Sequence, residues 1–105
     1  MDSQLKKGLL EMCVLRHLSS QPSYGYEIIT DISEYATISE STLYTILYRL
    51  EKNKCLATYR EEHDGRLRKY YKITKEGKKR LKEFKGENIK MQQILTYIIG
   101  GKDEA

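Results

Sequence analysis

A chain of 105 residues fits one small domain plus a single additional element, and so modest a core cannot by itself cover every apolar surface that a further helix brings. Nineteen Lys and Arg stand against 15 Asp and Glu, a net charge of +4; no apolar run approaches the ~18 residues that cross a bilayer, and no signal-peptide hydrophobic region opens the chain, so a cytoplasmic protein without a membrane partner is expected. Cys13 and Cys55 are too few and too far apart for a zinc site, and there is no nucleophile–base pair, paired carboxylates or glycine-rich phosphate loop, so neither a metal, a cofactor nor an enzyme is expected.

Gln4 to Ser20 reads as a helix capped by Asp2 or Ser3. Leu5, Leu9, Leu10, Met12, Cys13, Val14, Leu15 and Leu18 cover more than one of its faces. Such coverage fits a helix central to its own domain, or one buried on two sides, against its core and against a partner. Ser19–Ser20–Gln21–Pro22 is a turn, and Ser23 is expected to cap a second helix running to about Glu34, with Ile28, Ile29 and Ile32 as its core stripe. Gly25 near its start allows the close approach of another backbone. Tyr24 and Tyr26 flank that glycine at a helix N-terminus, where free N–H groups favour an anion; a DNA phosphate and plain packing are both open readings.

After a short link from Tyr35 to Ile38, Ser39 caps a third helix. Leu43, Ile46, Leu47 and Leu50 recur at helical spacing and define its buried stripe. The opposite side carries Ser41, Thr45, Tyr48 and Lys52, flanked by Tyr44 and Arg49. Hydroxyls, phenols and a guanidinium can bond to phosphates or base edges in a groove. Two helices joined by so short a turn, the second polar outside, form a helix-turn-helix.

Near Asn53–Lys54 the third helix ends, and two strands follow, Leu56–Glu62 and Leu67–Ile73. In the first, Leu56 and Tyr59 are the expected packing residues. In the second, Tyr71 and Ile73 share one face while Arg68, Tyr70 and Lys72 share the other. Asp64–Gly65 between them is a strong hairpin signal, and Arg66–Leu67–Arg68–Lys69 gathers positive charge at the tip, a wing suited to a phosphate backbone or a minor groove. The charge distribution agrees. Residues 1–36 hold three basic and five acidic side chains, whereas 37–73 and 74–105 each hold eight against five, so the positive charge begins at the third helix.

Thr74 caps a last helix. Leu81, Phe84, Asn88, Met91, Leu95 and Ile98 are spaced 3, 4, 3, 4 and 3, a coiled-coil seam with one polar slot, widened by Ile89, Ile94 and Ile99. A lone projecting helix cannot leave such a seam in water, so a homodimer is expected, with Leu5, Leu9 and Met12 of the first helix joining the interface. Gly86 marks a bend or a close approach, and the tail Gly100–Ala105 is expected to fray. The architecture expected is mainly α with a small β-hairpin: a winged helix-turn-helix over residues 1–74 and a dimerisation helix with its tail over 75–105.

Four blocks carry a resemblance. Pro22–Ser23–Tyr24–Gly25–Tyr26–Glu27–Ile28, Ile38–Ser39–Glu40–Ser41–Thr42–Leu43–Tyr44, Arg49–Leu50–Glu51–Lys52 and Arg68–Lys69–Tyr70–Tyr71–Lys72–Ile73–Thr74–Lys75–Glu76–Gly77, in this order and spacing, resemble the PadR family of transcriptional regulators. The resemblance implies a dimeric prokaryotic or phage repressor that binds double-stranded DNA. Carried over by position, it implies DNA contacts from Tyr24 and Tyr26, from Ser39, Ser41, Thr42, Tyr44 and Thr45 of the third helix, and from Arg66, Arg68 and Lys69 of the wing; the outer face of the helix adds Tyr48 and Arg49. Some family members bind phenolic or flat multidrug-like compounds between their subunits, and Met12, Phe84, Asn88 and Met91 are the residues that would meet a small aromatic effector here. The reading weighed against a DNA-binding regulator is a winged-helix protein–protein module. Such a surface calls for apolar anchors on the outer face of the third helix, where this chain has Ser41, Thr45 and Lys52.

Overall fold

The structure, a computed structural model, describes residues 2–100. It comprises α1 (Ser3–Leu18), β1 (Ser23–Tyr24), α2 (Gly25–Ile32), α3 (Glu40–Lys52), β2 (Leu56–His63), β3 (Arg66–Ile73) and α4 (Lys75–Ile99). The expected frayed tail from Gly101 onward lies outside the described residues.

Local chemistry sets most of the boundaries. Asp2 caps α1, its carboxylate accepting from the Leu5 N–H at 3.1 Å. Ser39 caps α3, its hydroxyl accepting from the Thr42 N–H at 3.1 Å. The helix closes with the Cys55 N–H donating to the Leu50 carbonyl and the Lys54 N–H to the Glu51 carbonyl, and Lys54 takes the left-handed φ of 65° that this paired closure needs. Asp64 and Gly65, both with positive φ, make the two-residue turn of the hairpin. Thr74 ties α4 to the hairpin root: its hydroxyl accepts from the Gly77 N–H and donates to the Lys54 carbonyl at 2.7 Å.

Two expectations give way at α2. Ser23 does not cap it; with Tyr24 it forms a short strand, and the helix begins at Gly25 and stops at Ile32. The expected hairpin is thus a three-stranded antiparallel sheet in the order β1-β3-β2, with Ser23 opposite Tyr71 and Tyr24 opposite Tyr70. A strand of two residues is too short to show alternation, and its partner edge on β3 is visible only in three dimensions. Ser23 is fully buried there, its hydroxyl donating to Glu27 at 2.5 Å. The first helix also ends two residues earlier than expected, at Leu18.

One core joins every element except the two-residue β1. Val14, Leu15 and Leu18 of α1, Ile28 and Ile32 of α2, the α3 stripe, Cys55, Leu56, Tyr71, Ile73 and Leu81 form a single buried cluster. Burial pushes the Tyr71 phenol up from its ordinary pKa, with Tyr44 and Glu51 adding to the rise. Burial also pushes the Cys13 thiol up, and both cysteines are free. Tyr59 is the exception among the expected packing residues. It lies on the outside of the sheet, stacked on Tyr70 with ring centroids 5.4 Å apart, because Leu56 and Thr58 take the inward positions of β2. Beyond Phe84 the fourth helix leaves the body, and the molecule measures 57 × 25 × 25 Å.

The root of α4 tolerates no added atom. A Cβ at Gly77 would collide with the Cys55 backbone carbonyl and lie 2.7 Å from a side-chain carbon of Ile73. Gly77→Ala is therefore expected to destabilise the protein by about 1–3 kcal/mol in urea unfolding, although helix propensity alone would make alanine better by about 1 kcal/mol. A neutral or stabilising effect would show that the helix root can shift.

Candidate nucleic-acid interface

Burial of Leu43, Ile46, Leu47 and Leu50 at 0–1% exposure fixes the rotation of α3 and leaves Ser41, Tyr44, Thr45, Tyr48 and Lys52 on the solvent side. Not every hydroxyl there is idle. The Ser39 hydroxyl donates to Thr42 Oγ1 at 2.8 Å as part of the cap, and the Thr45 hydroxyl donates to the Ser41 carbonyl at 3.0 Å. Each keeps oxygen lone pairs to offer a ligand. Tyr48 is two-thirds exposed.

Tyr44 sits against the start of α2. A Cβ at Gly25 would meet its phenolic oxygen and lie 2.8 Å from its Cζ. The close approach read from Gly25 is therefore made by a tyrosine ring, not by another backbone. Tyr26, on the first turn of α2, is about three-quarters exposed. Tyr24 belongs to the sheet: its ring meets Tyr70 edge-on at 5.6 Å, and the Arg68 guanidinium lies over it at 4.4 Å.

The outer face of the sheet is thus a row of three tyrosines, Tyr24, Tyr70 and Tyr59, one per strand, with Arg68 held at its end. Sequence reading placed Arg68 and Tyr70 on one face but missed that Tyr24 and Tyr59 complete it. Arg66 is exposed near the hairpin tip. Lys69 faces inward, its Nζ 3.9 Å from a Glu51 carboxylate oxygen and 5.4 Å from the Tyr71 ring centroid. On β2, Glu61 stands opposite Arg68 and Glu62 opposite Leu67, so the positive character of the wing belongs to β3.

Arg49 is placed differently from the other expected contacts. Its guanidinium turns toward α1 and donates to Glu11, which also accepts from Arg80 of α4 at 2.6 Å. Glu11 is 4% exposed, and it escaped sequence reading altogether. A lone acid inside the apolar run from Leu9 to Leu15 was the signal available.

Along α4, Leu81 is buried and Phe84 packs against the core, while the Asn88 side-chain amide donates to the Phe84 carbonyl at 2.9 Å. Farther out, Met91, Leu95 and Ile98 are exposed, as are Ile89, Ile94 and Ile99. On α1, Leu5 is exposed, Leu9 is half-buried and Met12 is already buried in its own protomer. A groove of about 340 Å³ between the two helices is lined by Leu5, Leu9, Met12, Arg80 and Phe84. Among the described residues, no helix is long and apolar enough to cross a membrane.

The family model described as transcriptional regulator PadR-like family matches residues 14–83. A Lysinibacillus sphaericus protein called uncharacterized protein X is 36% identical over 104 residues, 94% of this chain and 95% of its own. A solved Streptococcus mutans protein is 43% identical over 88% of each chain, with a TM-score of 0.78. A PadR-like transcriptional regulator from Bacillus cereus superposes with a TM-score of 0.81 at 33% identity, over 95% of this chain and all of its own.

The contact at Gly25 offers a local test. A methyl group there displaces only the far end of a side chain, so Gly25→Ala is expected to change stability by no more than about 1 kcal/mol. The Tyr44 ring resonances should nevertheless move in NMR spectra. Unchanged ring shifts would mean that Tyr44 does not rest on α2.

Proposed function

This chain belongs to the PadR-like family of transcriptional regulators, and on that premise we propose that it is a homodimeric, sequence-specific repressor that binds a palindromic operator near a promoter. The observation that carries the reading is the solvent face of α3: Ser41, Thr45, Tyr48 and Lys52 offer donors and acceptors with no aliphatic anchor among them, beside a wing whose β3 strand bears Arg66, Arg68 and Lys69. In this reading α3 enters the major groove, where base edges carry a distinct donor and acceptor code, and the wing follows the phosphate backbone. Tyr24 and Tyr26 border the same surface from β1 and α2. Ser39 and Thr42 hold the helix start and present it to a phosphate.

Residues 1–74 form the DNA-reading unit of this proposal and residues 75–105 the pairing unit. Support for pairing comes from the apolar side chains that α4 carries beyond Phe84 with no cover in the protomer. Met91, Leu95 and Ile98, continued by Leu5 and Leu9, would lie against their counterparts, with Phe84 and Asn88 near the two-fold. Two copies then present α3 to half-sites about one helical turn apart. A small aromatic effector would enter between α1 and α4, against Met12, Phe84, Asn88 and Met91, and would release DNA by changing the spacing of the two reading helices.

Six or more phosphate contacts across the dimer should cost about a thousandfold in operator affinity between 50 and 200 mM salt, as measured by fluorescence anisotropy. A nearly flat response would remove the wing from the interface. Thr45→Ala should lower discrimination between operator and random duplex by about 1–3 kcal/mol per half-site, whereas Arg68→Ala should weaken binding to both alike and reduce the salt slope by about two, one for each protomer. Equal losses on both DNAs for both variants would contradict this division between base reading and backbone contact.

A further inference from the structure

We propose that Glu11 is a positioning residue that locks the reading helix to the pairing helix and so sets the half-site spacing that the dimer accepts. The inference rests on the DNA-binding dimer proposed above. Glu11 lies in the middle of α1, and among the described residues it is the one buried side chain of the carboxylate or cationic type. A carboxylate withdrawn from water must be paired, and here each oxygen has its own partner: one accepts from Arg49 of α3, the other from Nη2 of Arg80 of α4 at 2.6 Å. Three helices therefore meet at one side chain.

The two arginines occupy telling positions. α1 packs on both α3 and α4, but α3 and α4 have little direct packing on each other. The orientation of α3 relative to α4 is thus set through intermediaries, the hairpin with its root at Lys54–Cys55 on one side and α1 on the other. Glu11 is the one α1 side chain among the described residues that bonds to a side chain of each helix. Arg49 follows Tyr48 and lies one turn beyond Thr45, so a rotation of α3 that broke its bond would swing the DNA-facing side as well. Arg80 precedes the buried Leu81 and stands one turn before Phe84, at the head of the exposed seam and in the groove between α1 and α4. Apolar packing tolerates small sliding. Two charge-assisted bonds on a single carboxylate impose distance and angle together. The contribution of such a buried cluster is geometric more than energetic, since apolar replacements of buried ion pairs are often no less stable.

The test uses the full chain and operators recovered by selection from random duplex, each remade with one or two base pairs added at its centre. Glu11→Gln keeps shape and an acceptor while removing the charge. Both arginines are about one-third exposed, so each can turn to water. Glu11→Gln should remain dimeric in sedimentation and bind random duplex within about twofold of the wild type, while its preference for the native spacing falls about tenfold. Arg80→Gln, a change at a partly exposed site that leaves Glu11 bonded to Arg49, should do the same if Glu11→Gln fails to fold, and Arg80→Lys should recover part of the preference. A folded, dimeric Glu11→Gln or Arg80→Gln that keeps the full spacing preference overturns the proposal. So does a loss shared equally by every duplex, random DNA included. A DNA-independent readout separates this proposal from the functional one: spin labels at Lys52→Cys, in a Cys13→Ser background with Cys55 buried, report the distance between the two α3 helices. If the wild type binds no duplex yet that distance distribution broadens in Glu11→Gln, the DNA reading fails and the positioning role stands. If the distribution is unchanged, the positioning role fails.

Discussion

Four side chains on one side of α3, Leu43, Ile46, Leu47 and Leu50, lose nearly all contact with water, and no rotation of the helix keeps them dry except the one observed. Each such residue contributes roughly 1.5–3 kcal/mol on burial, so turning the helix by half a turn would cost an amount comparable to a small domain's entire stability of about 5–15 kcal/mol. The polar side is exposed because the apolar side cannot be. What α3 shows to solvent is therefore set by its core stripe, and the Ser39 cap and the closure at Lys54 fix where that surface begins and ends.

The wing is stiffened by a different device. β3 is the central strand of the sheet, bonded to β1 on one side and β2 on the other. Its outer face is a continuous contact of Arg68, Tyr24, Tyr70 and Tyr59, built from a cation over a ring, an edge-to-face pair and a parallel stack. Ring pairs of this kind contribute about 0.5–1.5 kcal/mol each beyond their buried area. They also hold the Arg68 guanidinium in place before any ligand arrives. An arginine immobilised in advance loses less rotamer freedom on binding, a saving of about 0.5–1.5 kcal/mol per side chain. Arg66, nearer the tip, has no such restraint and would contribute charge more than geometry.

The legible parts of this chain were those governed by neighbours in sequence. Helical spacing gave α3 its buried stripe, Asp64–Gly65 gave the turn, and Thr74 gave the start of α4; each is a local rule, and each element stands where the rule puts it. The parts that escaped depend on residues far apart. β1 exists because Ser23 and Tyr24 reach the free edge of a strand almost fifty positions away. Tyr59 and Leu56 are three positions apart and so fall on opposite faces of a regular strand; the unbroken pairing of Thr58 with Tyr71 and of Tyr59 with Tyr70 shows that no bulge brings them to one face. Arg49 sits on the flank of α3, where helical geometry leaves it equally free to face a groove or the body. Glu11 of α1 settles the choice, since a buried carboxylate recruits the nearest cations.

α4 is held at its root by Thr74, by the tight seat of Gly77 on the Cys55 carbonyl and by the burial of Leu81, and past Phe84 it has no further support from the protomer. A helix of 25 residues is about 37 Å long, so a small angular error at the root becomes a displacement of several ångströms at its end. In the proposed dimer that error would be doubled across the two-fold and would appear as a change in the distance between reading helices. Recognition of two half-sites on one face of a duplex tolerates little of it, because a single base pair shifts one half-site by 3.4 Å and rotates it by about 35°. A rigid root is thus a requirement of the proposed mechanism. Directional bonds from a buried carboxylate meet that requirement better than a larger apolar contact, since packing resists separation strongly but sliding only weakly.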